Sequence, residues 1–234
     1  MIKHYSFDLW LTLIKSNPTF KEERAMYFHK KYNPFKRSLA DIKDIIRNVD
    51  LCCNSTNEIV GKNIDALEMY CMVLYQIGND LSDFSSTKIN EIYSDIEVIF
   101  FRYKPTLFDE NTLCTLSALH NQGSTLSILS NTGFIKGKTL KQFIQTSDLS
   151  QIPFNFMLFS DEVGLSKPNP IFFDRIQHHL PINVFKNHIL HVGDNPNADG
   201  KGAQGVNIPH FIINNPQISP FTINHLLDET LFPA

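Results

Sequence analysis

The stretch YSFDLWLTL, residues 5–13, decides the fold of this 234-residue chain. Its first part, Tyr5 to Phe7, has the short apolar pattern of a buried strand, and Asp8 follows at the strand end with Thr12 four residues later. No further strand pattern occurs before Pro105. A strand separated from the rest of its sheet by about 90 helical residues implies a large insertion that forms a lobe of its own.

Capping signals predict four helices in residues 15–105, because Ser, Thr, Asn and Asp side chains bond the free N–H groups of a first turn. We place the helix starts at Asn17-Pro18-Thr19 with Glu22, at Ser38 with Asp41, at Asn63 for a helix over 64–77, and at Ser86 or Thr87 for a helix through Phe101. Isoleucines recur at helical spacing in the last of these, which predicts one buried face.

After Pro105, short apolar runs alternate with helical segments, which is typical of strand–helix units in a parallel sheet. The predicted strands are Leu126 to Leu129, Phe154 to Phe159, Ile189 to Val192 and Phe211 to Ile213, and a helix is predicted over Pro170 to His179. Ligands of open parallel sheets bind outside the carboxyl ends of the strands. The residues that follow these runs are therefore the candidates for function.

Polar side chains suited to phosphate and metal chemistry follow four of these segments. They are Asp8 with Thr12, Ser130-Asn131-Thr132-Gly133, Lys167 within GLSKPNP, and Gly193-Asp194 with Asp199. A carboxylate can act as a nucleophile, and an ammonium group with hydroxyl and backbone N–H groups can neutralise an anion. Two acids from different strands can hold Mg²⁺, which prefers oxygen ligands. A lysine among them lowers the cost of grouping carboxylates.

In order and spacing, these motifs resemble those of the haloacid dehalogenase-like (HAD) hydrolase superfamily, over most of the chain. The resemblance implies a Rossmann-like α/β core made of residues 1–14 and 106–234. It also implies that residues 15–105 form an inserted α-helical cap, as in the branch that contains dehalogenases and many small-molecule phosphatases. Closure of such a cap would exclude water and set specificity.

The same resemblance implies a role for each matching residue. Asp8 would be the covalent nucleophile and Thr12 would support its loop. Ser130 and the backbone N–H of Asn131 would bind the transferred group, and Lys167 would stabilise its charge. Mg²⁺ would be held by Asp8, by the backbone carbonyl of Trp10 and by Asp194. Asp199 would orient Lys167 or complete the metal shell.

The first motif departs from the D-x-D-G-T pattern of the phosphatases in this superfamily, because Trp10 and Leu11 replace the second aspartate and the glycine. That aspartate ordinarily protonates the leaving alcohol and then activates water, a contribution of about 10²–10⁴-fold in rate. Tryptophan cannot exchange a proton in this way. A side chain at Leu11 also disfavours a backbone turn with positive φ.

Three functions remain open on the sequence. The first, which we favour, is an atypical or impaired hydrolase of a small anionic substrate, a phosphate ester. The second is haloacid dehalogenase-like displacement at carbon, because dehalogenases of this superfamily have Tyr where Trp10 stands and a halide needs no proton to leave. The third is a non-catalytic protein that binds a ligand or partner. The Gly193-Asp194 pair favours a metal and therefore phosphate.

The composition limits the classes of partner that we expect this chain to bind. With 21 basic and 24 acidic side chains, the formal charge of −3 gives no reason to expect nucleic acid or an anionic membrane as a partner. The N-terminus lacks a secretory pattern and no run reaches the length of a membrane span, so we expect a cytoplasmic protein with reduced, mostly buried cysteines. The basic residues near the first inserted helix, Lys30, Lys31, Lys36 and Arg37, are expected to form a solvated face, and Arg37 is the candidate among them if one faces the crevice.

Overall fold

The computed structural model describes residues 2–231. A five-stranded sheet of order β5-β4-β1-β6-β7 forms its centre, and every neighbouring pair of strands is parallel. The strands of the protein are β1 His4–Phe7, β2 Ile14–Lys15, β3 Thr106–Leu107, β4 Thr125–Ser130, β5 Phe154–Phe159, β6 Ile189–Gly193 and β7 His210–Ile212. The predicted α/β fold is confirmed, with β1 in the middle of the sheet.

Helices precede and follow most strands of the sheet. They are α1 Pro18–Lys31, α2 Leu39–Val60, α3 Ala66–Ile77, α4 Ser86–Arg102, α5 Thr112–Asn121, α6 Gly137–Gln145, α7 Ser160–Val163, α8 Pro170–His178 and α9 Gly202–Gln204. A π-type turn, Pro196–Lys201, leads into α9, and short 3₁₀ turns occupy Leu81–Asp83, Asp148–Gln151, Lys186–His188, Ile223–Leu227 and Glu229–Leu231. The predicted helix from Pro170 thus ends one residue earlier than expected.

Helices α1 to α4 pack on one another and make up the helical insertion, residues 15–105. Two predicted starts need correction. The third helix begins at Ala66 because Asp65, not Asn63, caps it and forms a reciprocal capping box with Glu68. The fourth begins at Ser86 because the hydroxyl of Ser85 accepts from the N–H of Lys88.

A short antiparallel ladder joins the two ends of the insertion, where we expected no strand before Pro105. Ile14 pairs with Leu107 and Lys15 pairs with Thr106. Two residues on each side are too short to give a periodic pattern in the sequence, which is why the ladder was missed. The division into a core of residues 1–14 and 106–234 and a cap of residues 15–105 stays a prediction, and residues 1 and 232–234 lie outside the described part.

Two buried apolar clusters hold the elements together. The larger one is continuous from the helices of the insertion to β1 and β4 of the sheet, and the smaller one packs α8 against β6 with Phe172, Phe173 and Ile189 at its centre. One continuous apolar core thus connects the insertion to the sheet. Within the described residues, no helix has the length and apolarity needed to span a bilayer.

All four cysteines are free thiols, but only Cys53 is fully buried. Cys52 and Cys114 are exposed and Cys71 is half-buried. The expectation of mostly buried thiols was therefore wrong, because three of the cysteines lie on the outward or rim positions of amphipathic helices.

Candidate active site

The strand ends form the floor of a cavity of about 520 Å³ under the helical insertion. Asp8 follows β1, Ser130 ends β4, and Asp194 follows β6, so three adjacent parallel strands bring these residues to one edge. The cavity is lined by Asp8, Asn131, Lys167, Asp194 and Asp199 from the sheet side, together with residues of α1 and α2. The polar groups predicted at the strand ends therefore lie close together.

Asp8 is buried and is bound on one oxygen by two donors. Its Oδ1 accepts from the Ser130 hydroxyl at 2.8 Å and from Lys167 Nζ at 2.7 Å. Its Oδ2 lies 3.5 Å from the Thr12 hydroxyl. Burial raises the pKa of Asp8, whereas Lys167 and Ser130 act against that rise. Oδ2 of Asp8 therefore has fewer and longer hydrogen bonds than Oδ1.

Lys167 joins Asp8 to a second buried acid, Asp199. The Lys167 ammonium donates to Asp199 Oδ1 at 2.6 Å, and the lysine is only 2% exposed. Burial alone would lower the pKa of Lys167, but Asp199 and Asp8 together raise it above its ordinary value. The lysine therefore stays charged.

Asp199 is held in turn by His191 and by a backbone amide. His191 Nε2 lies 3.0 Å from Asp199 Oδ1, and the N–H of Asn195 donates to Asp199 Oδ2 at 3.0 Å. Burial raises the pKa of Asp199, but Lys167 and His191 outweigh burial and lower it below its usual range. Of the two roles predicted for Asp199, these contacts fit the orientation of Lys167 directly.

Three carboxylates meet around this one ammonium group. Oxygen atoms of Asp8, Asp194 and Asp199 all lie within 4.8 Å of one another. Burial first, and then the charges of Asp8 and Asp199, raise the pKa of Asp194 to about 7. With three carboxylates and one ammonium group, the cluster is short of positive charge. An all-oxygen set of this kind fits a hard divalent cation such as Mg²⁺.

An expected outcome concerns Asp194 in metal-free protein. Its pKa rises on folding from 3.8 to about 7, so the folded state binds more protons and stability falls as the pH rises through that range. In EDTA, Asp194→Asn should match the wild type near pH 4 and exceed it at pH 8 by about 1–3 kcal/mol, allowing for partial solvent screening. Urea unfolding at both pH values measures this. Equal stability at pH 8 would show that the clustered charges do not repel.

The Asn131 side chain has a role that the sequence did not suggest. Its Nδ2 donates to the carbonyl of Lys167 at 3.1 Å, and its Oδ1 accepts from the N–H of Lys167 at 2.7 Å. This reciprocal pair ties the loop that carries Lys167 to the end of β4. Binding of a transferred group by the backbone N–H of Asn131 stays a prediction.

The loop after β1 adopts the turn that glycine would favour. Leu11 has a φ of 59°, in the left-handed region, and its side chain is half exposed. Trp10 is half-buried, packs on the main core and lines the cavity. An indole ring therefore lines the cavity at the position where the phosphatases of the superfamily carry their second aspartate, and the role of the Trp10 carbonyl as a ligand stays a prediction.

The strain at Leu11 can be measured by comparing two truncations. A Cβ in the left-handed region costs about 1–2 kcal/mol, and the greater chain entropy of glycine offsets about 0.4–1 kcal/mol of that. We expect Leu11→Gly to be about 0.5–1 kcal/mol more stable than Leu11→Ala in chemical denaturation. If the alanine variant is the more stable of the two, the loop relaxes around the side chain.

Contacts from the insertion to the core were not predicted by the sequence. Glu58 accepts from Asn195 Nδ2 at 2.9 Å and from Asn197 Nδ2 at 2.7 Å. Asn63 Oδ1 accepts from the Ser160 hydroxyl at 2.6 Å, and the Gly61 carbonyl accepts from Asn169 Nδ2 at 2.9 Å. The end of α2 and the turn before α3 are therefore fastened to the loops that surround the site.

The cation that the insertion buries in the cavity is Arg24 of α1, whereas Arg37 lies on a solvated face, as expected for its cluster. Arg37 is exposed, donates from Nε to the Ile77 carbonyl at 2.9 Å and does not line the cavity. Arg24 is only 8% exposed and does line it. The sequence holds a weak signal for Arg24, because it lies one helical turn after Phe20 on the buried face of α1.

Comparison with known proteins agrees with this geometry. A sequence profile of the haloacid dehalogenase-like hydrolase family matches residues 7–213. The chain belongs to that family, which confirms the resemblance noted in its motifs. No curated protein matches the chain significantly.

Solved structures share the fold over nearly the whole chain. The HAD-hydrolase YfnB from Bacillus subtilis, bound to magnesium, is 17% identical with a TM-score of 0.69, covering 100% of this chain and 99% of its own. A 2-haloacid dehalogenase from Pseudomonas syringae pv. Tomato is 21% identical with a TM-score of 0.64 and full coverage of both chains. A predicted phosphoglycolate phosphatase from Haemophilus somnus is 19% identical with a TM-score of 0.64, covering 98% of each chain. At these identities the likeness concerns the fold alone.

Proposed function

We propose that this HAD-like hydrolase is a phosphohydrolase that acts on a small phosphorylated metabolite through an aspartyl-phosphate intermediate on Asp8. The observation that carries the proposal is the cluster of Asp8, Asp194 and Asp199 around the single ammonium group of Lys167. A phosphate ester is an anion, so it would enter this acidic site only with added positive charge. An oxygen cluster deficient in positive charge is suited to such a cation.

The proposed chemistry has two displacements at phosphorus. Asp8 Oδ2 attacks phosphorus, the bond from phosphorus to the ester oxygen breaks, and that oxygen leaves with the bonding electron pair as an alkoxide or aryloxide, which then takes a proton from water. Water then cleaves the acyl phosphate and regenerates the carboxylate, releasing inorganic phosphate. Ser130 and Lys167 hold Asp8 Oδ1, which orients Oδ2 towards the cavity. Lys167 also offsets charge on the transferred group.

Mg²⁺ bound by Asp8, Asp194 and the Trp10 carbonyl would neutralise the phosphoryl oxygens and allow an anion to approach the nucleophile. A relative bound to magnesium and a predicted phosphoglycolate phosphatase with the same fold support this choice. The small substrate and a cytoplasmic location belong to the same proposal.

Trp10 limits which esters can react quickly. With no carboxyl group at this position, the leaving oxygen departs without a proton from residue 10, so an acidic leaving group is favoured. Aryl phosphates such as nitrophenyl phosphate should therefore be cleaved faster than alkyl phosphates.

The aromatic side chain of Trp10 also favours a second candidate, displacement at carbon. In that reaction, Asp8 would attack a carbon that bears a halide, and the halide would leave as an anion with no need of a proton. The acidic cluster argues against displacement at carbon. That reaction requires no metal, so nothing would offset the clustered carboxylates, and their negative charge would repel a haloacid. A non-catalytic binding protein remains the third possibility.

One assay distinguishes the three candidate functions. A panel of aryl and alkyl phosphates and 2-haloacids is incubated with the protein, with Mg²⁺ and with EDTA. Phosphate release that requires Mg²⁺ supports the proposal, and halide release in EDTA supports displacement at carbon. Silence in both, with Mg²⁺ still raising the melting temperature, would indicate a binding protein and refute the proposed activity.

A further inference from the structure

A buried arginine lies in the roof of the cavity with no acidic partner. The side chain of Arg24 is 8% exposed, and its Nε has no hydrogen-bond partner among the described residues. It forms no ion pair with any carboxylate in the described part of the chain. Buried charges are normally paired, since removing a charge from water without compensation is costly.

The acids that share the cavity with Arg24 have other partners or belong to the carboxylate cluster. Asp8 and Asp199 share Lys167, and Glu58 is bound by two asparagine amides. Asp50 accepts from Asn54 at 3.3 Å. Asp194 belongs to the carboxylate cluster with Asp8 and Asp199. No carboxylate of the described residues lies within ion-pair distance of Arg24, so its guanidinium group is free to pair with an anion from outside the chain.

Two aromatic rings pack close to the guanidinium group of Arg24. Arg24 Cζ lies 4.4 Å from the centre of the Phe134 ring and 5.2 Å from that of Phe20. Rings that pack on a guanidinium hold its position and leave its N–H edge available, because those hydrogens point outwards in the plane. A planar fork of this kind matches a carboxylate or a phosphoryl group through two parallel bonds.

We infer that Arg24 is a specificity-determining residue that binds a second anionic group of the substrate, a carboxylate or a second phosphoryl group. The inference rests on the proposed function, because it assumes that the first anionic group binds at Asp8. Both residues line the same cavity of about 520 Å³, which is large enough for one small metabolite. The preferred substrates would thus be phosphorylated acids or bisphosphates rather than simple phosphate esters.

Binding of unreactive phosphonates tests this without turnover. The probes are phosphonoacetate, 3-phosphonopropionate and 4-phosphonobutyrate, each compared with the alkylphosphonate that lacks its carboxylate, and methylenebisphosphonate compared with methylphosphonate. Fluorescence of Trp10, the single tryptophan, reports occupancy because that residue lines the cavity. All titrations contain Mg²⁺.

We expect the wild type to bind at least one doubly anionic probe about 10–100-fold more tightly than its matched partner, the range for a charge-assisted fork. Arg24→Met should bring that ratio close to one, because the doubly anionic probe loses more affinity than the alkylphosphonate does. Arg24→Lys keeps the charge without the fork and should retain part of the preference. Arg37→Met, an exposed arginine outside the cavity, is the matched control and should keep the wild-type ratio.

Thermal unfolding of each variant shows whether the cavity is intact. If Arg24→Met does not fold, the ratio in Arg24→Lys decides. The inference is overturned if the wild type binds no pair with different affinities, or if the wild-type ratio persists in the Arg24 variant that folds. If the probes show the expected affinity ratios but no ester releases phosphate, the proposed activity is refuted and the role of Arg24 is not. Mg²⁺-dependent phosphate release with no preference between probes would refute the role of Arg24 alone.

Discussion

Asp8→Asn should abolish phosphate release, lowering kcat by roughly 10³–10⁶-fold, the range seen when a covalent nucleophile is removed. The amide nitrogen and oxygen of asparagine lack the charge and basicity to attack phosphorus. The substitution keeps the shape of the side chain, and an amide oxygen can still accept from Ser130 and Lys167. Steady-state phosphate release from an aryl phosphate with Mg²⁺ is the measurement.

A second carboxylate substitution controls for charge. Asp174→Asn removes an acid that pairs with Lys186 on the surface and does not line the cavity. It should keep wild-type kcat, and both variants should unfold cooperatively. Turnover of Asp8→Asn within tenfold of the wild type would mean that another group carries the nucleophilic step.

Trp10→Asp should raise the rate on alkyl phosphates by about 10²–10⁴-fold, the usual contribution of a positioned acid and base. Trp10 lines the cavity beside the candidate nucleophile, so a carboxyl group introduced at this position can reach the same space. The gain should be much smaller for nitrophenyl phosphate, because its leaving group needs little protonation. Relative kcat values for the two ester classes measure the effect.

Trp10→Asn is the matched control, because asparagine has the size of aspartate and cannot exchange a proton. It should show the cost of losing the indole ring without the catalytic gain. Equal rates for the Asp and Asn variants, or a rate in Trp10→Asp at or below the wild type, would contradict our account of the missing acid. Both variants lose packing against the main core, so their melting temperatures are compared first.

Local patterns predicted most of the fold. The strand from Phe154 to Phe159 matches the structure fully, and the capping box of Ser38 with Asp41 begins α2 as expected. Both features depend on residues that are neighbours in sequence. The separation of β1 from the other strands by a long helical segment is likewise visible along the chain. The β2–β3 ladder pairs residues about 90 positions apart and has no periodicity, so only the tertiary structure reveals it.

The residues of the candidate site also divide into those that the sequence predicts and those that only the structure reveals. The rule that ligands bind at the carboxyl ends of parallel strands predicts from the sequence that Asp8, Ser130, Lys167 and Asp194 lie together. Nothing comparable identifies Arg24 or Asn63, because their importance arises from packing of the insertion on the core. The sequence could not show which arginine of a charge-balanced helical segment is buried.

The bonds from Glu58 to Asn195 and Asn197 have a consequence for engineered chimeras. These two asparagines lie between Asp194 and Asp199, so the insertion braces the very loop that bears the acids. An exchange of residues 15–105 for those of a relative would remove that brace unless a glutamate were retained at the end of α2. The insertion and the acidic loop therefore form a single module, and a graft has to carry both halves of the contact.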